Sequence, residues 1–504
     1  MTFPWLTFLG LIPILGALVL CLPLKGAARP VGWAFSLATL AAALGVAGLY
    51  LSGAELDVLN RWIPAFGAYW ALGLDGMGLT MVLLTALLTP IVLLAEWKVS
   101  ASNDGWTARA YFGLILALEG LSIFTFMADD VLLFYMMFEA TLIPMYFLIG
   151  GFGGPKRREA ALKFLLFNLV GGFIMLVSVI GLYVWSTRFG GTPSYLLADL
   201  AQQPFGGWLG RLLMLGFLVA FVIKAPMVPL HTWLPDAAES ATPGSSVLMV
   251  GILDKLGTFA MIKFCLGIFP EASIWIAPVM IGLSLISIIY GAAAAIASTN
   301  LLRLISYTSI SHFGFMVLGI YMFTSQSLTG SIFFMVNHGF STAALFLAVG
   351  FLIKRRGSAG VGDFGGVEKV APILAGSVLL AALSALSLPG MSTFVSEFLV
   401  LAGTWSREPW IAAVATLGMV LAAVYALLMY QRTMTGPVTD QTAAHITTDL
   451  NLVERSVLVP VIGAMLVLGF VPGPVISWLE PTAKAAMARV NLTDPAPVTL
   501  EGEK

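Results

Sequence analysis

Long apolar stretches recur along this chain, and they restrict what it can fold into. About fourteen stretches of roughly 20 apolar residues alternate with short polar loops, and a helix of that length crosses the hydrocarbon core of a bilayer. Only 10% of the residues are charged, against about 25% in soluble domains. We therefore predict an all-α polytopic membrane protein. The predicted spans are residues 5–23, 32–52, 78–97, 110–128, 130–152, 160–187, 209–227, 243–267, 273–297, 301–322, 327–352, 371–404, 410–431 and 454–480.

The loops between the predicted spans fall into two sets that differ in basic residues. The richer set, which includes Arg109, Arg157 and Arg303, is expected to face the cytoplasm. The net charge of −1 gives no sign of a nucleic-acid partner. We predict a multi-pass protein of the bacterial inner (cytoplasmic) membrane, in contact with lipids. The mitochondrial inner membrane is the alternative.

Two predicted spans are interrupted by residues that break helices. The seventh contains Pro226, with Pro229 just after its end, and the twelfth contains Pro389 and Gly390. Discontinuous helices at matching places in two halves are typical of transporters with inverted repeats. We predict two inverted five-helix repeats, each with a broken helix and with these four residues as hinges. The predicted units are an N-terminal three-helix segment (1–109), a first repeat (110–267), a second repeat (268–431), and an amphipathic connector with a last span and a tail (432–504).

A lysine and a glutamate lie where lipid-facing residues are expected. Lys224 ends an apolar stretch, and a charged ammonium at mid-membrane costs about 2.5–3.5 kcal/mol even on lenient scales. Glu139 has apolar residues on both sides in the sequence, and its carboxylate needs a cation nearby. We expect these two to pair, and a pair that forms and breaks is a proton switch. A static buried ion pair that fixes two helices is the alternative.

Lys255 lies in the middle of the eighth predicted span. Lysine changes its proton affinity readily when it is desolvated, so Lys255 is a candidate proton carrier. The adjacent Asp254 points about 100° away around an ideal helix and is not an automatic partner. Lys163 and Lys263 lie nearer span ends, where extension to the membrane surface is an equal alternative.

Three histidines lie at polar places in otherwise apolar spans, namely His231, His312 and His338. Ser309 shares a helix face with His312, and Thr342 shares one with His338. Such faces can hold water, so we predict a hydrated proton relay through His312 and His338. A core histidine satisfied by one backbone carbonyl is the alternative for each of them.

Two further glutamates complete the intramembrane set. Glu397 follows the second helix break, and Thr393 lies one turn before it on the same face. Glu119, on the preceding span relative to Glu139, is a possible second acidic station. The predicted proton-transfer residues are Glu139, Lys224, Lys255, His312, His338 and Glu397; the predicted supporting residues are Glu119, His231, Lys263, Ser309 and Thr393.

No cofactor or metal is expected within this chain. Its two cysteines, Cys21 and Cys265, are too few and too distant for a zinc or iron–sulfur site. The glycine-rich segments 150–154 and 362–366 match neither nucleotide-binding fingerprint. NADH and ATP therefore have no visible site in this sequence.

Two segments carry a family resemblance. KAPMVPLHTWLPDA (224–237) and LRLISYTSISHFG (302–314) resemble the antiporter-like subunits of respiratory complex I, the proton-translocating NADH:quinone oxidoreductase. FEA (138–140), LIPMYFLIG (142–150) and an acidic Glu397, where sister subunits carry lysine, resemble the branch called subunit M, or chain 4 in mitochondria.

The resemblance implies an electron-transport subunit without a redox centre, which acts as part of a translocase. It implies a cytoplasmic half-channel that ends near Lys255, a relay through His312 and His338, and an exit near Glu397. NADH, FMN, iron–sulfur clusters and quinone are expected in partner subunits, and two paralogous antiporter-like subunits are expected as neighbours. The alternatives are a subunit of a multi-subunit sodium/proton antiporter or membrane-bound hydrogenase, and a purely structural spacer.

Overall fold

A computed structural model describes residues 3–23, 26–99, 105–189 and 193–495 of the chain. The predicted all-α polytopic fold is confirmed, because helices dominate these residues and eleven of the described helices are long and apolar enough to cross a membrane. The count of about fourteen spans, the inverted repeats and the domain boundaries stay predictions. Residues 496–504 of the predicted tail lie outside the described residues.

Among the described residues of the first third of the chain, a β-hairpin lies between the second and third helices. Its strands, β1 (Val58–Ile63) and β2 (Ala68–Leu72), pair antiparallel. A short 3₁₀ turn, Pro64–Phe66, joins them. The helices are α1 (Trp5–Val19), α2 (Ala28–Leu51), α3 (Gly76–Ala95), α4 (Ala108–Met127), α5 (Val131–Ala140), α6 (Leu142–Phe152) and α7 (Arg157–Phe189).

The helix that carries Lys224 ends at that residue. After the short α8 (Leu197–Leu200), α9 runs over Gly207–Lys224 and the next helix, α10, covers Trp233–Ser240. Pro226 has no N–H to continue the helix. Val222 O, the carbonyl that this N–H would have bonded, accepts from Met227 N at 3.1 Å instead, and Ile223 O accepts from Trp233 Nε1 at 3.1 Å. Both carbonyls before the break are thus satisfied within the protein.

The eighth predicted span is a helix of mixed geometry. It consists of α11 (Pro243–Leu248), a π-helical segment (Met249–Leu253), α12 (Lys255–Ala260) and a second π-helical segment (Met261–Leu266). The N–H of Asp254 donates to Met249 O at 3.0 Å, five residues back. Such π-turns inside helices occur frequently at functional sites.

The core lies around three consecutive long helices, α13 (Pro270–Ala297), α14 (Leu301–Tyr321) and α15 (Ser325–Arg356). Helix α14 packs against both of the others, and the most apolar stretch of α15 is completely buried. Helix α15 therefore faces protein on every side, although it carries Asn337, His338, Ser341 and Thr342.

The second helix break follows in the last third of the chain, between Ala385 and Ser392, and Gly390 has φ +94°. The predicted last span, 454–480, is wrong at its end: a helix stops at Phe470 and another starts at Gly473, with Pro472 between. A 3₁₀ turn covers Val361–Asp363. The helices are α16 (Val367–Val370), α17 (Pro372–Ala385), α18 (Ser392–Arg407), α19 (Pro409–Met434), α20 (Asp440–His445), α21 (Leu452–Phe470) and α22 (Gly473–Val490).

Candidate functional site

Lys255 and His338 form a direct contact in the centre of the protein. Lys255 begins α12 directly after the first π-helical segment, and both side chains are 0% exposed. Lys255 Nζ lies 2.6 Å from His338 Nδ1 and donates to Val250 O at 2.6 Å. The ammonium also lies 4.9 Å from the centre of the Phe313 ring. The two predicted proton carriers are thus within proton-transfer distance.

The other nitrogen of His338 faces a hydroxyl. His338 Nε2 lies 3.0 Å from Thr342 Oγ1, one turn along α15. A charged Lys255 donates to Nδ1, so a neutral His338 carries its proton on Nε2 and donates it to Thr342. Ser341, the neighbouring hydroxyl, makes no hydrogen bond to the described residues. The arrangement holds the ring ready to accept a proton from Lys255.

His312 connects α14 to the second helix break. Its Nε2 lies 3.1 Å from Ala385 O and 3.3 Å from the Tyr425 hydroxyl, which itself donates to Ala385 O at 3.2 Å. Ala385 is the last residue of α17, so the break leaves its carbonyl free for a partner outside its own helix. The rings of His312 and His338 meet edge to face, with their centres 5.1 Å apart.

Glu397 lies beside His312 at the far end of this cluster. Its Oε1 is 3.9 Å from His312 Nε2, and its side chain is almost completely buried. Its other oxygen, Oε2, makes no hydrogen bond to the described residues. The structure therefore brings Lys255, His338, His312 and Glu397 into one buried line.

The expected ion pair between Glu139 and Lys224 is absent from this structure. Lys224 is 1% exposed, and its ammonium makes no hydrogen bond to the described residues. It lies over two aromatic rings, at 5.1 Å from Phe138 and 5.9 Å from Phe164. Glu139 Oε1 is likewise without a hydrogen bond, although the two charges still interact electrostatically. A pair that forms and breaks between these two residues stays a prediction, and in this conformation the ammonium lies against two aromatic rings.

The Glu139 carboxylate is pressed against a glycine of α7. A Cβ placed on Gly172 would lie 2.3 Å from Glu139 Oε1 and 2.4 Å from its Cδ. The adjacent Gly171 faces α9, where an added Cβ would meet Ala220 at 3.1 Å. These two glycines thus allow Glu139 and the helix of Lys224 to approach α7 closely on neighbouring faces.

Three predicted supporting residues lie away from this line. Glu119 is buried on α4 without a hydrogen bond to the described residues. Lys263 pairs with Asp129, with 2.7 Å between Nζ and Oδ1. His231 lies in the first helix break against Tyr290, with ring centres 5.0 Å apart.

Two predicted supporting hydroxyls bond to backbone rather than to the relay. Ser309 donates to Ile305 O at 3.0 Å, and Thr393 donates to Ser384 O. Neither hydroxyl donates to the neighbouring ionisable residue. A carbonyl of its own helix satisfies Ser309, and a carbonyl of α17, across the second break, satisfies Thr393.

Sequence reasoning assigned no role to two groups that the structure places in the site. Tyr425, on α19, is a single hydroxyl in an apolar span, and its sequence context carries no signal beyond that. Asp254 is different, because it is a carboxylate inside a span, and that signal alone marks a functional candidate. It is 0% exposed, neither of its oxygens makes a hydrogen bond to the described residues, and it interacts electrostatically with Lys255 and Lys224.

A cavity of 1120 Å³ opens at the end of the fold where the predicted cytoplasmic loops lie. Lys98, Arg157 and Lys354 are among its lining residues. Glu96 forms part of its wall, accepting from Gly244 N at 3.0 Å and from Lys354 Nζ at 3.0 Å. The cavity contacts α11 at Thr242, so it reaches the helix that leads to Lys255.

Hydroxyl groups continue inward from this cavity. Thr242 Oγ1 lies 2.8 Å from the Tyr111 hydroxyl and donates to Ser245 Oγ at 2.9 Å. Tyr111 and Ser245 are both completely buried. Among the described residues, no group of three or more histidine, cysteine or carboxylate side chains is arranged to hold a metal ion.

Comparisons with known proteins place this geometry in a family. The sequence profile described as "NADH:quinone oxidoreductase/Mrp antiporter, TM" matches residues 128–422, which include both helix breaks and every predicted proton-transfer residue. A protein of Mycobacterium tuberculosis named NADH-quinone oxidoreductase subunit M is 45% identical over 98% of this chain and 96% of its own length. The chain belongs to the subunit M family of NADH:quinone oxidoreductase. The resemblance that the sequence indicated is confirmed.

Other relatives agree with this placement. An NAD(P)H-quinone oxidoreductase chain 4 of Prochlorococcus marinus is 36% identical over 86% of this chain and 82% of its own. A chain in the structure of respiratory complex I from Thermus thermophilus with bound NADH superposes with a TM-score of 0.87 at 32% identity, covering 96% of this chain and 99% of that one. A chain of the Mrp complex from a Dietzia species has a TM-score of 0.84 at 21% identity, over 97% of this chain and 100% of that one, and so shares the fold.

Proposed function

We propose that this chain moves protons across the bacterial inner membrane as a subunit of NADH:quinone oxidoreductase. Protons pass through Lys255, His338, His312 and Glu397, while Glu139 and Lys224 act as the switch that couples the chain to its neighbours. Relatives named as subunits of this oxidoreductase support the assembly. NADH, FMN, iron–sulfur clusters and quinone then belong to partner subunits.

The observation that carries the proposal is the 2.6 Å contact between Lys255 Nζ and His338 Nδ1. An ammonium donates across such a contact, and the imidazole nitrogen accepts, without movement of either backbone. A lysine with a merely structural role would instead extend its ammonium to the membrane surface. The contact with a second titratable base favours proton transfer.

The second half of the path leads from His338 to Glu397. The two histidine rings are 5.1 Å apart at their centres, so a rotation of one ring or an inserted water molecule is needed between them. From His312, a carboxylate oxygen of Glu397 is 3.9 Å away. Tyr425 and the free carbonyl of Ala385 hold His312 in position through Nε2. Glu397 is therefore the last buried acceptor before the exit.

The cytoplasmic cavity and the buried hydroxyls support the first half of the path. Thr242, Tyr111 and Ser245 form a chain of hydrogen bonds that starts at the cavity wall. Hydroxyl groups both donate and accept, so they conduct protons when water bridges the remaining distance to Lys255. The basic residues at the cavity fit a cytoplasmic opening.

One exposed face of α7 supports contact with neighbouring membrane components. Leu166, Val170, Phe173 and Val177 lie on one side of this helix and are 51–69% exposed. Such a face requires lipid or another membrane subunit. Paralogous antiporter-like subunits and lipids are the partners that we propose for it.

The test is a substitution of His338 in membranes that hold the assembled oxidoreductase. With His338→Gln, we expect NADH-driven proton uptake into inverted vesicles to fall by roughly tenfold or more, because general acid–base groups contribute factors of this size. The matched control is His445→Gln on the exposed connector helix α20, which should pump as the unmodified chain does. Native pumping in His338→Gln would contradict the relay.

The same vesicles distinguish NADH-driven proton pumping from the alternative function, sodium/proton exchange. The sodium/proton antiporter alternative rests on the fold shared with the Mrp chain. If His338→Gln abolishes sodium-dependent proton exchange in the absence of NADH while NADH-driven uptake is unchanged, the antiporter function replaces ours.

A further inference from the structure

Asp254 is a buried carboxylate that the proposed path does not use. It joins the first π-helical segment to α12, with a 0% exposed side chain and two oxygens without hydrogen bonds to the described residues. A buried carboxylate without compensation costs several kcal/mol. A cation close to the carboxylate lowers this cost.

Two lysines meet this need from opposite sides. Lys255 follows Asp254 in the chain, and its ammonium turns to His338 on α15. Lys224 lies across the helix interface at the end of α9. Asp254 interacts electrostatically with both, and each lysine interacts with Asp254 in return.

The packing of α12 on α9 explains why Asp254 faces Lys224. A Cβ on Gly257 would lie 2.5 Å from Phe221 O and 2.7 Å from Ala225 N, so Gly257 touches the last turn of α9. Asp254 lies three residues before Gly257 and shares that face of the helix. Lys255 lies about 100° further round, which directs it away from α9.

The balance of buried charges is a second argument for a role of Asp254. Lys224 and Lys255 together bring two ammonium groups into the interior, and Glu139 compensates only one of them. Asp254 makes the set two cations and two carboxylates. The order Glu139, Lys224, Asp254, Lys255 then alternates in sign, so each lysine has a carboxylate on one side and each inner group has two possible partners.

We propose that Asp254 is an exchangeable counterion that joins the Glu139–Lys224 switch to Lys255. The proposal rests on the proposed function and adds a positioning residue to it. When Lys224 pairs with Glu139, Asp254 stabilises the ammonium of Lys255. When Lys224 leaves Glu139, it pairs with Asp254, and Lys255 loses its counterion.

The proton step follows from that loss. Lys255 Nζ gives one proton to His338 Nδ1 across their 2.6 Å contact. Lys255 becomes a neutral amine and His338 an imidazolium, so one positive charge moves toward His312. When Lys224 returns to Glu139, Asp254 again faces Lys255, and the amine takes a proton from the cytoplasmic side. No oxidant or second reactant is required.

The experiment removes the charge of Asp254 in membranes with the assembled complex. With Asp254→Asn, we expect NADH:quinone turnover and proton uptake to fall together by about tenfold, within the range usual for coupling between two sites. Asp254→Glu keeps a carboxylate and should recover at least half of the native rate. The control is Asp440→Asn, the same change on exposed α20, which should leave both rates unchanged.

Two further variants make every outcome decisive. If Asp254→Asn fails to assemble, Asp254→Leu takes its place, because an apolar residue of similar volume is usually tolerated where a buried charge is removed. Lys255→Met is measured in parallel. Native rates in both Asp254 and Lys255 variants would overturn the proposed function itself. Native rates at Asp254 with a loss at Lys255, or no recovery by Asp254→Glu, would overturn only the role of Asp254.

Discussion

The buried line from Lys255 to Glu397 and the region of Glu139 and Lys224 differ in how their charged groups are held. Around the second helix break, Lys255 contacts His338, and His312 contacts both Ala385 O and Tyr425. Around the first break, Lys224 Nζ and Glu139 Oε1 make no hydrogen bond to the described residues. A hydrogen-bonded group must break its bond before it moves, whereas a group without a hydrogen bond has none to lose. The second region therefore suits proton conduction, and the first suits switching.

The largest expected effect comes from breaking the conducting region at its first contact. Lys255→Met removes the proton carrier and leaves His338 Nδ1 without its donor, so NADH-driven proton uptake should fall by more than about tenfold. Vesicle proton uptake measures this. Lys484→Met, at an exposed surface pair with Glu480, is the control. A Lys255→Met complex that pumps normally would place the path elsewhere.

A substitution in the switching region should have the next largest effect. Gly172→Ala places a methyl group where the Glu139 carboxylate now lies. Alanine favours a helix by about 0.8–1.0 kcal/mol over glycine, so the variant should be no less stable in thermal unfolding. Coupled turnover should nevertheless fall by about fivefold, because the carboxylate is displaced.

The control for that variant is Gly45→Ala on α2, where nothing lies within 4 Å of the added Cβ. It should match native turnover. Equal turnover in Gly172→Ala and Gly45→Ala would mean that the position of the Glu139 carboxylate has no influence on coupling.

A milder effect is expected from one hydroxyl in the conducting region. Tyr425→Phe keeps the ring and removes the hydrogen bonds to His312 and Ala385 O, each worth about 0.5–1.5 kcal/mol. Proton uptake should fall by about threefold. Tyr430→Phe, half-buried on the same helix, is the control. If both variants pump equally well, His312 does not depend on Tyr425 for its position.

The smallest effect is expected at the rim of the first break. Asp236 pairs with Lys163 and Arg303, at 2.6 Å each, but about a third of its side chain is exposed. Exposed pairs of this kind contribute about 0–1 kcal/mol, so Asp236→Asn should change turnover by less than about twofold. A larger loss would extend the switching region to this cluster.

The pH dependence of this cluster has a defined sign. Burial opposes ionisation of Asp236, but hydrogen bonds from Lys163 and Arg303 outweigh it and lower the pKa of the carboxyl. Its contribution to stability is then complete above the ordinary aspartate pKa and is lost as the pH falls through the lowered value. Thermal unfolding of the native and Asp236→Asn proteins should differ at pH 6 and converge in acid.

The sequence predicted the residue types of the site better than their partners. Apolar length predicts helices, and ionisable residues inside spans predict the relay, so Lys255, His312, His338 and Glu397 could all be named in advance. Their contacts depend on which faces of distant helices meet, and no periodicity encodes that. The carbonyl of Ala385 is a clear case, since only the geometry of the break makes it available to His312.

The misplaced expectations have the same origin. Opposite charges in apolar surroundings predict a pair between Glu139 and Lys224, and the sequence does not reveal that the ammonium lies against the rings of Phe138 and Phe164 in this conformation. Asp254 was set aside because it points away from Lys255. What the sequence could not supply was the approach of Lys224, on a helix distant in sequence, as a second cation that interacts with Asp254.

The mixed helix over residues 243–266 also bears on how the protein is made. It carries Asp254, Lys255 and Lys263 in one predicted span, and each charged residue opposes insertion from the translocon by up to about 2.5–3.5 kcal/mol. Its compensating groups lie on segments synthesised both before and after it, Asp129 and Lys224 on one side and His338 on the other. We therefore expect this segment to insert into the bilayer late, together with the helices that carry its partners. Biogenesis of this subunit then depends on the same residues as its activity.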